Sequence, residues 1–207
     1  MNEEVQFKWE QFLDPAVMRP RLISASLYIA AYQSLRSCIV DRVRDFYVNG
    51  FDESGEKISP EYATKVLTRN KSPVFASLHW FREMGAVQPV DLATFERVTK
   101  CRNVVSHELL DVLGTRGLPD DFHQCFADVV ALLHKIEVWW LMNVEIPINP
   151  DFEGQEIDEA KVVPGRIMVL QMLFEIALAP DEESRRYTEG FRKEVAAGRS
   201  AATKDGA

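Results

Sequence analysis

Between Arg21 and Tyr47 the apolar residues Tyr28, Tyr32, Leu35, Ile39, Val43 and Phe46 recur at spacings of three and four. Those spacings put all six on one stripe only if the chain is wound at about 3.6 residues per turn, so the stretch dictates a long amphipathic helix. No other run shows the strict apolar–polar alternation that a half-buried strand requires. The chain is therefore expected to fold as an all-α protein.

Local stop and start signals divide the rest. The stretch "NGFDESGEK" breaks the first helix with Asn49, Gly50 and Gly55. In "SPEYATKVLTRN", Ser59 suits an N-cap and Pro60 the first helical position. Pro73 divides this second region and Gly85 ends it. Asp91 caps a third helix running to about Leu113 and closed by Gly114 and Gly117, and Pro119, Asp120 and Asp121 open a fourth, "DDFHQCFADVVALLHKIEVWWLMNVE". These segments predict an up-down four-helix bundle over residues 1–145. Residues 146–164, rich in Pro, Gly and acids, read as a connector, 165–197 as a C-terminal helical extension and 198–207 as a flexible tail. The stretch "IMVLQMLFEIALA" in the extension is apolar nearly all round and is expected to be buried against the bundle or in an oligomer.

At 207 residues the chain can bury a sizeable core. It has no apolar run of the length a membrane helix needs, and its acidic, amphipathic start, "MNEEVQFKWEQFLD", lacks the basic region and apolar core of a secretory signal. A cytoplasmic protein is expected, with no membrane contact. Cys38, Cys101 and Cys125 are widely spaced, without CxxC or a zinc pattern, and read as small buried hydrophobes. His79, His123 and His134 form no HxxxH or HExxH, so neither a metal nor a cofactor is expected. The net charge of −8 is the wrong sign for a broad nucleic-acid-binding face, so any such contact must be local.

One such locality is "TKCRNVVSHELL", residues 99–110. On an ideal helix Val98, Cys101, Val105, Leu109 and Val112 share the core-facing arc. Arg102 falls at its edge, and Ser106, Thr99, Asn103 and His107 continue round from it, with Leu92 and Leu110 above and below. An arginine beside an apolar face costs stability unless it is paired or solvated. A buried network, with Arg102 paired to an acid and His107 half-buried and satisfied, is one reading; it makes the chain a non-catalytic helical interaction module. Chance supports it poorly: Arg followed directly by Asn, then by His four residues later, is expected about 0.01 times in a chain of this composition.

The hexapeptide "RNVVSH" resembles the R-x4–6-H signature of the HEPN superfamily, in which a polar residue, often Asn, follows the Arg. A bundle with the motif on its third long helix is similar to HEPN architecture, over about residues 20–145. The resemblance implies a metal-independent endoribonuclease, acting as a homodimer with motifs facing one another, in toxin–antitoxin or antiphage settings where an antitoxin or activator protein is a partner. It implies Arg102 as the cation on phosphate, His107 as general acid or base and Asn103 as the orienting group. Ser106 lies between them on the helix, and Lys100 and Arg97 form the adjacent basic cluster that would guide an RNA backbone. A HEPN-like bundle that binds RNA or nucleotide without cutting it remains the other alternative. In one HEPN subgroup a tyrosine stands two positions after the histidine and is modified by the antitoxin; here that position is Leu109.

The residue types suit RNA cleavage. RNA carries its own nucleophile, the 2′-hydroxyl, so the protein need supply only proton transfer and charge stabilisation. A histidine moves protons near neutrality, and a guanidinium binds phosphate through two parallel hydrogen bonds. In-line attack needs acid and base on opposite sides of phosphorus; one helix offers one histidine, and a two-fold dimer offers two. Trp139 and Trp140, in "VWWLM", are expected in the core or an interface.

Overall fold

A computed structural model describes residues 2–53 and 55–204. Among them 78% are helical and 5% form strand, so the all-α expectation holds. The elements in order are α1 (Glu3–Leu13), α2 (Pro15–Phe46), strands β1 (Val48–Asp52) and β2 (Gly55–Ile58), α3 (Pro60–Lys65), α4 (Pro73–Glu83), α5 (Pro89–His107), α6 (Leu109–Asp111), α7 (Phe122–Trp140), α8 (Ile146–Ile148), α9 (Gly165–Leu178), α10 (Asp181–Ser184) and α11 (Arg186–Lys204).

α2 begins earlier than its apolar stripe suggests. Asp14 caps it, its carboxylate accepting from Ala16 N at 2.8 Å, and Pro15 takes the first turn where its missing N–H costs nothing. Tyr28, Tyr32, Leu35, Ile39 and Val43 are all buried, as the stripe predicts. Ser59 caps α3 through Glu61 N at 3.3 Å, Pro73 opens α4, and Gly85, at φ 81°, turns the chain after it. Asp91 is not the cap of α5 but its third residue: its carboxylate accepts from the backbone N of Gln88, one position before the helix.

Two further expectations, on the first break and on the end of the third helix, are corrected. The stretch taken as a simple break, "NGFDESGEK", is an antiparallel hairpin pairing Val48 with Ile58 and Asp52 with Gly55, with an irregular register between Val48 and Phe51. Its described residues are exposed or half-exposed, so no buried face imposes alternation on the sequence. The third helix does not reach Leu113. It stops at His107, Glu108 leaves helical geometry at φ −111°, ψ 28°, and the chain resumes as α6 and a π-helical turn, Val112–Arg116. That re-registration returns Val112 and Leu113 to the core and leaves Leu110 85% exposed.

α2, α4, α5 and α7 share one core. Tyr28 packs on Phe122 and Phe126 of α7, Phe75 of α4 meets Phe95 of α5, and Trp80 and Phe81 of α4 meet Trp139 and Trp140 of α7. Trp140 is buried and Trp139 half-buried in this cluster. At 2% exposure Glu137 is the one buried charge among the described residues. Arg42 Nη2 donates to its Oε2 at 2.9 Å and also pairs with Glu145, while Arg166 Nε lies 3.1 Å from Oε1, out of line for a hydrogen bond. Residues 146–164 hold only short turns.

By packing, the chain divides into Met1–Met168 and Val169–Ala207. The second unit holds the rest of α9 together with α10 and α11; within it Glu175 takes both Arg186 and Tyr187. Within α9, Ile167 and Leu170 are buried, while Leu173, Ile176 and Leu178 are exposed in the single chain. The tail expected from residue 198 falls within α11 as far as Lys204, and residues 205–207 lie outside the described residues. No described helix is long and apolar enough to cross a membrane.

Candidate functional site on α5

Two tyrosines of α2, one turn apart, hold α5 in place. The Tyr28 hydroxyl donates to Val98 O at 2.8 Å, and Tyr32 Oη lies 2.9 Å from Thr99 Oγ1. Thr99 Oγ1 spends its own hydrogen on Phe95 O at 2.7 Å, so in that pair Tyr32 is the donor. The Tyr32 ring, stacked on Phe95 at 5.9 Å and 20°, then offers its outer face to Arg102. The guanidinium carbon sits 4.9 Å from the ring centroid, within cation–π range.

Arg102 is half-buried. Its Nη1 donates to Asn103 Oδ1 at 3.1 Å, and its buried Nε has no hydrogen-bond partner. Among the described residues no carboxylate pairs with it. A buried donor without a partner is uncommon in folded proteins. The acid partner that the buried-network reading called for is not among the described residues, and an aromatic face takes its place.

The remaining motif residues are distributed as follows. Asn103, Ser106, Lys100 and His107 are exposed. His107 is the last residue of α5, at the carbonyl end of the helix. Five residues of helix separate it from Arg102, about 140° of rotation and about 7.5 Å of rise, and Arg102 leans onto α2. The structure thus brings Arg102 and Asn103 together, and joins neither to His107 by a hydrogen bond. Arg97 is engaged by Asp128 of α7, and Glu108 by Arg116.

Sequence reasoning missed the Tyr32 platform, although Tyr32 sat on the α2 stripe. It also missed a cluster formed by Cys101 of α5 with Asp121 and Cys125 at the start of α7. The two Sγ atoms and a carboxylate oxygen lie within 4.8 Å of one another, a set able to hold a metal ion. All three cysteines are free and buried. Burial, reinforced by Asp121 and Cys101, pushes the Cys125 thiol up to about 12. Burial raises Cys101 as well. Cys38 is raised by burial and then by the charge of Glu137. No family model, curated protein or solved structure matches the chain.

Proposed function

We propose that the chain is a metal-independent endoribonuclease of HEPN type, cutting RNA at a composite site between two copies. The observation that carries this reading is the state of Arg102: a cation held on an aromatic ring beside Asn103, with no described acid to neutralise it and a donor to spare. Such a cation is pre-organised for a phosphate, which supplies the oxygen acceptors it lacks. The sharing of one core by α2, α4, α5 and α7 favours a HEPN-like four-helix bundle with the motif on its third long member.

In this mechanism His107 of one copy takes the proton of the 2′-hydroxyl as the 2′-oxygen bonds to phosphorus. His107 of the other copy gives its proton to the departing 5′-oxygen as the P–O bond breaks. Arg102 stabilises the charge on the phosphorane oxygens, and Asn103 orients the guanidinium. Products end in a 2′,3′-cyclic phosphate and a 5′-hydroxyl. Separation of Arg102 from His107 along one helix favours sharing between copies, and exposed Leu110, three residues past His107, suits the apolar contact of a two-fold interface. Lys100 remains solvent-facing for the RNA backbone; Arg97, tied to Asp128, contributes less. A cytoplasmic toxin or antiphage role, restrained by an antitoxin or triggered by an activator, completes the proposal.

The test is RNA cleavage in excess EDTA, comparing wild type with His107→Ala and mapping product ends. Cyclic phosphate ends present in wild type and absent in the variant support the reading. Equal failure of both, with folding and self-association intact, turns the assignment to an RNA- or nucleotide-binding module. The Arg102–Tyr32 stack is also what a purely structural pin between two helices would look like, and in that case Arg102→Ala lowers stability without affecting any RNA chemistry.

A further inference from the structure

The cluster under the start of α7 uses none of the residues given a role in cleavage, Arg102, Asn103 and His107. Asp121 and Cys125 are one helical turn apart, so their side chains stand side by side, and Cys101 reaches them from α5. Cys125 Sγ donates to Asp121 Oδ2 at 3.3 Å, and all three donor atoms fall within 4.8 Å of one another.

We propose that Cys101, Asp121 and Cys125 form a binding site for a thiophilic divalent cation of the zinc class, clamping α5 to the start of α7 with water as the fourth ligand. The geometry carries this. A tetrahedral zinc with Zn–S of about 2.3 Å and Zn–O of about 2.0 Å has S···O edges of about 3.5 Å and an S···S edge of about 3.8 Å. The Cys125–Asp121 edge is already within a few tenths of an ångström of that value. Two sulfurs with one carboxylate select zinc over magnesium or calcium, which take all-oxygen shells. Both sulfurs are buried while Asp121 is exposed, so an ion enters past the carboxylate and keeps its open position towards solvent. Two thiolates, a carboxylate and a divalent ion leave one negative charge, and Arg97 is close enough to Cys101 to offset part of it.

Binding balances simply. Two S–H bonds are lost, two S–metal bonds form, one carboxylate oxygen coordinates and two protons pass to solvent. No oxidant is needed.

The test is titration of the purified, metal-free full-length chain with Co2+, followed by Zn2+. One cobalt per chain is expected, with thiolate-to-cobalt charge-transfer absorption, release of about two protons and loss of the absorption on zinc addition. Cys101→Ser and Cys125→Ser abolish the absorption, and Cys38→Ser leaves it unchanged. Asp121→Asn, a change at an exposed residue that keeps the fold, weakens binding at least about tenfold, the loss typical of supporting groups alone. Absence of thiolate absorption in wild type overturns the site, as does absorption that survives the Cys101→Ser/Cys125→Ser pair. A wild-type chain that takes up no cobalt, and loses two hydrogens with oxidised glutathione as Cys101 bonds to Cys125, overturns it in favour of a redox pair.

Discussion

Removing Tyr32 in two stages separates what its hydroxyl does from what its ring does. Tyr32→Phe deletes only the hydroxyl. Because Thr99 Oγ1 already donates to Phe95 O, the change strands no donor and empties one acceptor position, so the expected cost is about 0.5–1 kcal/mol. Tyr32→Leu also removes the ring. The stack on Phe95 contributes about 0.5–1.5 kcal/mol and the half-buried Arg102 contact about 0.5–1 kcal/mol, bringing the total to about 1.5–3.5 kcal/mol. Urea unfolding of both variants, with and without Arg102→Ala, measures each part. Coupling of about 0.5–1 kcal/mol is expected between Tyr32→Leu and Arg102→Ala, and close to none between Tyr32→Phe and Arg102→Ala. If Tyr32→Leu costs no more than Tyr32→Phe, or couples to Arg102 no better, the ring is not the platform that holds the cation. In the nuclease reading the same series has a kinetic arm: Tyr32→Phe cleaves RNA as wild type does, and Tyr32→Leu loses rate because Arg102 is no longer held.

Two further outcomes follow from the buried ionisable groups Glu137 and Cys38. Glu137→Gln leaves Arg42 one charged partner, Glu145, and leaves Arg166 only its contact with Ser34 O; a loss of about 2–3 kcal/mol in chemical denaturation is expected, below the 3–5 kcal/mol of a wholly orphaned buried partner, and a loss under about 0.5 kcal/mol would mean the cluster is hydrated. The raised Cys38 thiol makes stability fall with alkali: above about pH 8.5 the unfolded chain sheds a proton that the folded chain keeps, so unfolding gains about 1.4 kcal/mol per pH unit from this group. Wild type should therefore lose stability more steeply than Cys38→Ala between pH 9 and 11, and parallel curves would contradict the burial argument.

The sequence announced what a single helix can encode by itself. The α2 stripe named five of the residues that became core, and Ser59, Pro60, Pro73 and Gly85 marked real ends, because caps and stripes are decided within one turn. The end of α5 was hidden: residues 108–113 are compatible with continued helix, and the break serves the packing of Val112 and Leu113, a tertiary matter. The hairpin was hidden because its described residues are exposed or half-exposed, so neither face is held to an apolar pattern. At the candidate site the Arg–Asn pair and the histidine were legible as types and spacings. What Arg102 rests on was not, since Tyr32 is 70 positions distant in sequence and looks like any other core aromatic until α2 and α5 are set side by side. Cys101 and Cys125 were unreadable as a pair for the same reason.

The placing of Glu137 bears on where this protein can be trimmed. The last long helix of the bundle ends at Trp140, and the proline-rich stretch after residue 145 invites a cut there. Yet the carboxylate sealed inside α7 leans on Arg166, some twenty residues beyond that boundary, and Arg166 Nη1 in turn reaches Ser34 O of α2 at 3.4 Å. A fragment ending at 145 would keep every long helix of the first unit and still carry a wound, a charged group walled off from water with part of its neutralising shell discarded. The smallest self-sufficient piece is therefore set by an electrostatic debt and extends through Arg166, even though no helix of the bundle requires it.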